Sequence, residues 1–253
     1  MDALEKRRNA IVDLINERGN VSFAHLKEAF PNVSEMTLRT DLKALDEAKR
    51  IVRIHGGAKS VQVIVGTDDY LNKRSVRNIE EKQIIVEKAV KLVRPDTTFF
   101  IDSGSTTTAL SRVLPDQSNL IVTTGLTCAM ELSKLTRPEV IVPGGKLNRY
   151  SMSVYGSHVV EDLREINFSQ AFIGVTCYSD ETGFTCGSLD EAELKRTAIG
   201  QSAQIIILMD SSKVGLKNTF SFCSLKDVDI IISDGKLPKE FLSKCKKNNV
   251  TVL

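Results

Sequence analysis

The chain has 253 residues, 42% hydrophobic and 26% charged, with a formal net charge of +2. That is the composition of a globular protein long enough for a small domain joined to a larger one. No run approaches the length of a membrane span, so no membrane partner is expected.

Five scattered cysteines, never spaced C-x-x-C, and three histidines with no H-x-x-x-H pair argue against a disulfide framework or a metal centre. They fit a reducing cytoplasm. The opening "MDALEKRRNA" lacks the apolar core of a secretory signal.

Residues 3–18, "ALEKRRNAIVDLINER", set Leu4, Ile11, Leu14 and Ile15 near helical spacing, with Gly19 as a stop. Ser22 is placed to cap a second helix carrying Phe23, Leu26 and Phe30 on one face. After Pro31-Asn32, Ser34 caps a third helix whose Leu38, Leu42 and Leu45 recur at spacings of four and three. "IVRIHGGAKSV" then alternates around Gly56-Gly57, as a two-stranded wing would.

Three short helices and a wing in residues 1–60 make a winged helix-turn-helix, a module for double-stranded operator DNA. Ser34, Thr37, Arg39, Thr40 and Lys43 are the expected contacts on the third helix. Hydroxyls and Arg suit phosphates and base edges there. Arg53 and His55, with Lys59, would line the wing. Charge alone would not have suggested this: residues 1–60 hold 11 Lys and Arg against 9 Asp and Glu, and the rest holds 23 of each.

Residues 61–80 carry many charges and weak periodicity, and are expected to be a linker. From 81 to 253 the texture changes. "EKQIIVEKAVKLV" is helical up to Pro95, and apolar runs at 98–101, 119–124, 138–145, 170–175, 204–209 and 228–233 then alternate with helical stretches. The helices are expected at 105–114, 125–135, 155–166, 188–201 and 238–247. That alternation means an α/β domain on a mainly parallel sheet, with ligands at the carboxyl ends of the strands.

Small and hydroxyl residues collect at those ends. "FIDSGSTTTAL" runs from a strand into a helix through Asp102, Ser103, Gly104, Ser105, Thr106 and Thr107. Later strands end in Thr123-Thr124-Gly125, Gly144-Gly145-Lys146, Gly174 and Asp210-Ser211-Ser212-Lys213. Glycines admit a ligand close to the backbone, and amides at a helix start hold an anion. Lys213 would add charge to that site, while Asp102 and Asp210 would accept from sugar hydroxyls. Neither G-x-x-x-x-G-K-[ST] nor a strand-borne G-x-G-x-x-G is present, so the expected ligand is a small phosphorylated polyol rather than a nucleotide cofactor.

Nearly the whole chain resembles a DeoR-type (GlpR-type) bacterial transcriptional regulator. "VSEMTLRTDLKALDEAKRIVRIHGGA" is similar to the family's V-S-x-x-T-[IL]-R-R-D-L … R-x-H-G-G-A, and "RSVRNIEEK" to its R-x₇-K junction. "DSGSTT", "PGG", "AFIGV", "EAELKR" and "DSSKVG" stand where the family carries counterparts. The resemblance implies a sensor domain like the ribose-5-phosphate isomerase fold, with Asp102 to Thr107 and Lys213 holding the effector. It also implies that Glu191 and Lys195 reach the effector from the helix at 188–201.

The chain departs from the family's pattern at Thr40 (usually a second Arg), Lys49 (Gly), Thr124 (Asn), Ser169 (Asp) and Thr176-Cys177 (an acidic-Gly pair). An isomerase would need paired acids. Here the stretch after "AFIGV" offers only Asp180 and Glu181, expected in a loop tip. The expectation is a non-enzymatic repressor of a carbohydrate-utilisation operon, acting as a homodimer or homotetramer and modulated by a phosphorylated sugar. The alternatives are an isomerase-like enzyme fused to a DNA-binding domain, and an activator with an unphosphorylated ligand.

Overall fold

The computed structural model describes all residues except 1, 2, 19, 49, 55 and 61–69. It divides into two compact units, Met1–Thr67 and Asp68–Leu253.

The first unit runs α1 (Ala3–Arg18), β1 (Asn20–Ser22), α2 (Phe23–Ala29), α3 (Glu35–Glu47), β2 (Ile51–Ile54) and β3 (Gly57–Ser60). Both serine caps form: Ser22 Oγ accepts from the His25 amide, and Ser34 Oγ from the Thr37 amide at 3.1 Å. Ile11, Ile15, Leu26, Leu38, Leu42, Leu45 and Ile51 make a closed core. Buried Asp41 ties α3 to α1, accepting from Arg7 Nε at 2.7 Å and Arg8 Nε at 2.9 Å. Burial pushes that carboxyl up, but the two guanidiniums outweigh it and hold it below its usual value.

The wing has a third strand that periodicity did not suggest. The sheet order is β1-β3-β2, because Gly57 lets Val21 come close. A Cβ at Gly57 would stand 2.2 Å from the Val21 carbonyl oxygen.

The second unit begins with α4 (Leu71–Ser75) and α5 (Ile79–Ala89), both inside the stretch expected as a linker or at its edge. β4 (Thr98–Ile101), α6 (Ser105–Val113), β5 (Leu120–Thr123), α7 (Leu126–Leu132) and β6 (Glu139–Ile141) follow. Then come β7 (Lys146–Asn148), β8 (Ser153–Tyr155), α8 (Ser157–Arg164), β9 (Gln170–Gly174), β10 (Cys177–Ser179) and β11 (Gly183–Cys186). The chain closes with α9 (Leu189–Gly200), β12 (Ile205–Leu208), β13 (Phe220–Cys223), β14 (Ile230–Ile232), α10 (Lys239–Lys247) and β15 (Thr251–Val252).

Seven strands form one sheet in the order β15-β14-β12-β9-β4-β5-β6, every neighbouring pair parallel. Successive strand residues feed opposite faces. Phe100, Val122, Ala171 and Ile207 enter one apolar cluster, and Phe99, Ile101, Ile121, Phe172 and Ile206 the other. Helices cover both faces, which is why these strands read as unbroken apolar runs.

From β4 the chain steps outward through β5 to β6. It then returns to lay β9 on the other flank of β4 and continues through β12, β14 and β15. The winding reverses between β4 and β9, and their carboxyl ends open the crevice where such sheets take ligands.

Candidate functional site

On α3, Met36, Arg39, Thr40 and Lys43 form an exposed stripe opposite the buried Leu38, Leu42 and Leu45. The Arg39 guanidinium lies 4.4 Å from the centroid of the Phe23 ring, so α2 steadies a side chain whose charge faces out. Thr40 Oγ1 donates to the Met36 carbonyl at 2.9 Å, leaving its lone pairs to accept. Lys43 is 3.9 Å from Glu47, with both exposed, a pair of little energetic weight.

Ser34 and Thr37 stand at the start of α3 with their hydroxyls 2.8 Å apart. In the wing, the Arg53 amide donates to Asp46 Oδ1 at 3.0 Å and its side chain is exposed. His55 and Lys49 lie outside the described residues. Sequence reasoning missed Met36, 75% exposed on the second residue of the helix. Its signal was an apolar residue standing off the leucine stripe.

At the crevice between β4 and β9, Asp102 and Lys195 form a buried ion pair, 3% and 2% exposed. Asp102 Oδ2 also accepts the Gly174 amide at 3.0 Å, and Lys195 Nζ donates to the Gly174 carbonyl at 2.9 Å. Glu191, one helical turn before Lys195, is 3.3 Å from the same ammonium. Burial works against the lysine's charge, but the Asp102 and Glu191 carboxylates outweigh it and raise its pKa. Burial likewise pushes the Asp102 carboxyl up. Two carboxylates about one ammonium keep the proton on nitrogen.

This pair joins the ends of β4 and β9 to α9. A Cβ at Gly174 would stand 3.4 Å from Asp102 Oδ2, an ordinary contact, so it is the backbone of Gly174, through its amide and carbonyl, that serves the pair.

Immediately after Asp102 the chain makes the turn expected to hold an anion. Gly104, with φ +150°, precedes α6, and no side chain caps the helix's first turn. The Gly104 carbonyl gathers the Thr107 hydroxyl at 3.0 Å, the Thr108 hydroxyl at 2.6 Å and the Thr108 amide at 2.9 Å. These contacts fix the turn and leave the amides of Ser105, Thr106 and Thr107 at an open helix start. Ser103 and buried Thr124 line the cleft beside it, together with Asn148, Ser151, Ser153, Tyr155, Ser188 and Glu191.

The other strand-end residues divide by role. Asp210 is buried and accepts from the Ser212 amide at 3.1 Å and Asn78 Nδ2 at 3.2 Å, with Lys213 Nζ 3.9 Å away. Asn78, at φ +51°, opens α5, so Asp210 fastens the junction helices to the end of β12. A Cβ on Gly145 would stand 2.5 Å from Val159 Cγ2 and 2.7 Å from the Tyr155 carbonyl, whereas Gly144 faces open space. Gly145 therefore lets its own loop approach the end of β8 and the start of α8.

Lys82, quoted only as part of a junction motif, is buried and donates to the carbonyls of Arg74 and Arg77 at the end of α4. Burial, with Lys213 adding to it, lowers its ammonium to about 8. Asp180 and Glu181 sit at the β10–β11 hairpin tip, paired to Lys244 and Lys217 and mostly exposed. Among the described residues no His, Cys, Asp and Glu group is placed to hold a metal ion, and no helix is long and apolar enough to cross a membrane.

Family comparison agrees with this division of the chain. Residues 7–63 match the DeoR-like helix-turn-helix domain and residues 77–235 the DeoR C terminal sensor domain. The chain belongs to the DeoR family of transcriptional regulators.

Among curated relatives, the HTH-type transcriptional regulator GlpR of Haloferax volcanii is 30% identical over 249 residues, 98% of this chain and 96% of that protein. GolR of Listeria innocua is 31% identical over 243 residues, 94% of each chain. The lactose phosphotransferase system repressor of Staphylococcus epidermidis is 30% identical over 230 residues, 90% of this chain and 91% of the repressor. Among solved structures, a ribose 5-phosphate isomerase A from Methanocaldococcus jannaschii is similar over 53% of each chain, at 18% identity and a TM-score of 0.39. These DeoR relatives are named as transcriptional regulators or repressors, and the helix-turn-helix implies DNA binding by the first unit.

Proposed function

We propose that this DeoR-family regulator is a cytoplasmic repressor of a carbohydrate-utilisation operon, modulated by a phosphorylated sugar bound at the β4–β9 crevice. The observation that carries the sensor half is the uncapped first turn of α6 opening beside a buried ion pair at the switch point. The phosphate sits on the amides of Ser103 to Thr107, with Gly104 allowing close approach and Lys213 supplying charge. Asp102 and Lys195 shape the floor, while Glu191, Thr124 and Gly174 border the sugar. Gly145 and Asp210 hold the neighbouring loops, and Gly144 lies open. Relatives named for lactose uptake and the aga operon support a sugar pathway.

The DNA-binding half uses Ser34, Thr37, Arg39, Thr40 and Lys43 in the major groove, with Arg53 at the wing; the expected contact of His55 falls outside the described residues. Thr40, where the family usually has Arg, shifts operator preference. A homodimer or homotetramer supplies two such helices for two half-sites. The effector acts by binding DNA-free and DNA-bound arrangements unequally, and a coupling of ~1–3 kcal/mol changes operator affinity ~5–150-fold.

No catalytic residue is assigned. The acids after β9 are exposed and lysine-paired, unlike a poised general base.

Two measurements test this. Arg39→Ala should abolish the mobility shift of an operator fragment, and undiminished binding sinks the DNA-binding assignment. Pentose and hexose phosphates should stabilise the chain thermally without being isomerised. Isomer formation would instead establish the enzyme alternative.

A further inference from the structure

The β7–β8 hairpin lies outside the seven-stranded sheet, as a two-stranded ladder pairing Lys146 with Tyr155 and Asn148 with Ser153. Its second arm is stitched to the end of β5. The Leu126 amide donates to the Met152 carbonyl at 2.8 Å, and the Val154 amide to the Thr124 carbonyl at 2.9 Å. Asn148 Oδ1 holds the turn by accepting the amides of Tyr150 at 2.9 Å and Ser151 at 3.3 Å. Met152 completes it at φ +50°, a conformation that L-residues adopt at a cost.

Residues 150–153 divide their partners between two directions. Tyr150 faces the junction: its carbonyl accepts the Leu71 amide at 2.8 Å, and its ring centroid is 4.9 Å from that of Tyr70. Tyr70 is the first described residue after 61–69, the segment leading from the DNA-binding unit. Ser151 and Ser153 face the cleft, buried, with hydroxyls 2.7 Å apart. One hydroxyl donates to the other, so the pair retains a spare hydrogen and several lone pairs beside Asp102, Ser103 and Thr124.

The cleft is narrow. Its free interior of about 10 Å³ is room for one water, and a sugar phosphate needs a wall to give way. On one side the wall is the sheet end and α9, locked by the Lys195–Asp102 pair. On the other it is the hairpin, with its left-handed Met152 and its separate ladder.

We propose that this hairpin reads the sugar beyond its phosphate, Ser151 and Ser153 binding its hydroxyls, and that seating the sugar displaces Tyr150 from Tyr70. The inference rests on the sugar-phosphate reading above and names the part of the site that selects and reports the sugar. The phosphate grip on α6 is common to all sugar phosphates; the hairpin distinguishes them and faces the junction.

The test uses the full-length chain and calorimetric titration with inorganic phosphate, ribose 5-phosphate, fructose 6-phosphate and glucose 6-phosphate. In the double variant Ser151→Ala, Ser153→Ala, the preference of the tightest-binding ester over inorganic phosphate should fall about tenfold, as for two lost hydrogen bonds. Binding of inorganic phosphate itself should be unchanged. In Tyr150→Ala, exposed enough at 53% to tolerate truncation, the ester should still bind. The ratio of operator affinities without and with the ester should then move toward unity.

An equal loss for phosphate and ester, or an unchanged ratio in Tyr150→Ala, overturns the hairpin's role and leaves the sensor reading standing. If neither phosphate nor any ester binds the unaltered chain, the sensor reading falls and the hairpin's role with it.

Discussion

Replacing Lys195 by Met tests whether the buried pair is the keystone of the crevice. Methionine fills much the same volume and removes the ammonium, so packing changes little while Asp102 keeps only the Gly174 amide at 3.0 Å. Breaking a buried pair from one side leaves an uncompensated charge and costs about 3–5 kcal/mol. For a unit of this size that lowers the melting temperature by on the order of 10 °C.

The loss has a pH signature. Burial is the strongest influence on Asp102 and raises its pKa, and without Lys195 nothing comparable opposes it. An acid raised on folding is penalised as pH climbs from its unfolded value toward its folded one. The deficit of Lys195→Met relative to the unaltered chain should therefore be largest near pH 8 and shrink toward pH 5. Adding Asp102→Asn should restore part of it at pH 8 and little at pH 5. Urea unfolding followed by circular dichroism at both pH values measures this. A deficit below about 1 kcal/mol, or one equal at the two pH values, would refute the view that Asp102 carries a charge compensated by Lys195.

Ser34→Ala should cost the first unit about 1 kcal/mol by removing the cap on the Thr37 amide, read as a lower urea midpoint with the sensor transition unchanged. Gly57→Ala places a methyl group 2.2 Å from the Val21 carbonyl oxygen. It should destabilise the wing by about 3 kcal/mol or more, and a neutral result would show that β1 and β3 do not pack so closely. Lys82, lowered to about 8 from 10.5, burdens the folded state while charged. The unaltered chain should therefore gain stability relative to Lys82→Met as pH rises from 8 toward 10.5, measurable by paired denaturation curves; a constant difference would argue that this lysine is not perturbed.

The sheet was legible in the sequence because its strands are apolar on both faces: "TFFI", "QAFIGV" and "QIIILM" leave little else to be made of them. The two serine caps and the leucine stripe of α3 marked the helix-turn-helix equally well. What did not show is what depends on strand order and on short polar strands. Nothing along the chain says that β9 returns to the flank of β4, yet this brings Gly174 against Asp102. β7 and β8 are three-residue strands, "KLN" and "SVY", with no alternation long enough to register, so four cleft residues there were missed. Lys195 was read as reaching toward a ligand; periodicity could not reveal that its ammonium is spent on Asp102. The helix α4 lies where charge density suggested only a connecting segment, because its five residues become helical through Lys82 and its contact with the hairpin.

Among the described residues, the three apolar clusters have no member in common, one lying within the first unit and two within the second. The residues packed under the reading helix and those packed around the crevice thus belong to different cores. Selection can therefore retune which DNA sequence is recognised and which metabolite is sensed as separate traits. Such a chain is easily re-employed: gene duplication followed by drift in one half yields a regulator of the same promoter under a new signal, or of a new promoter under the old one.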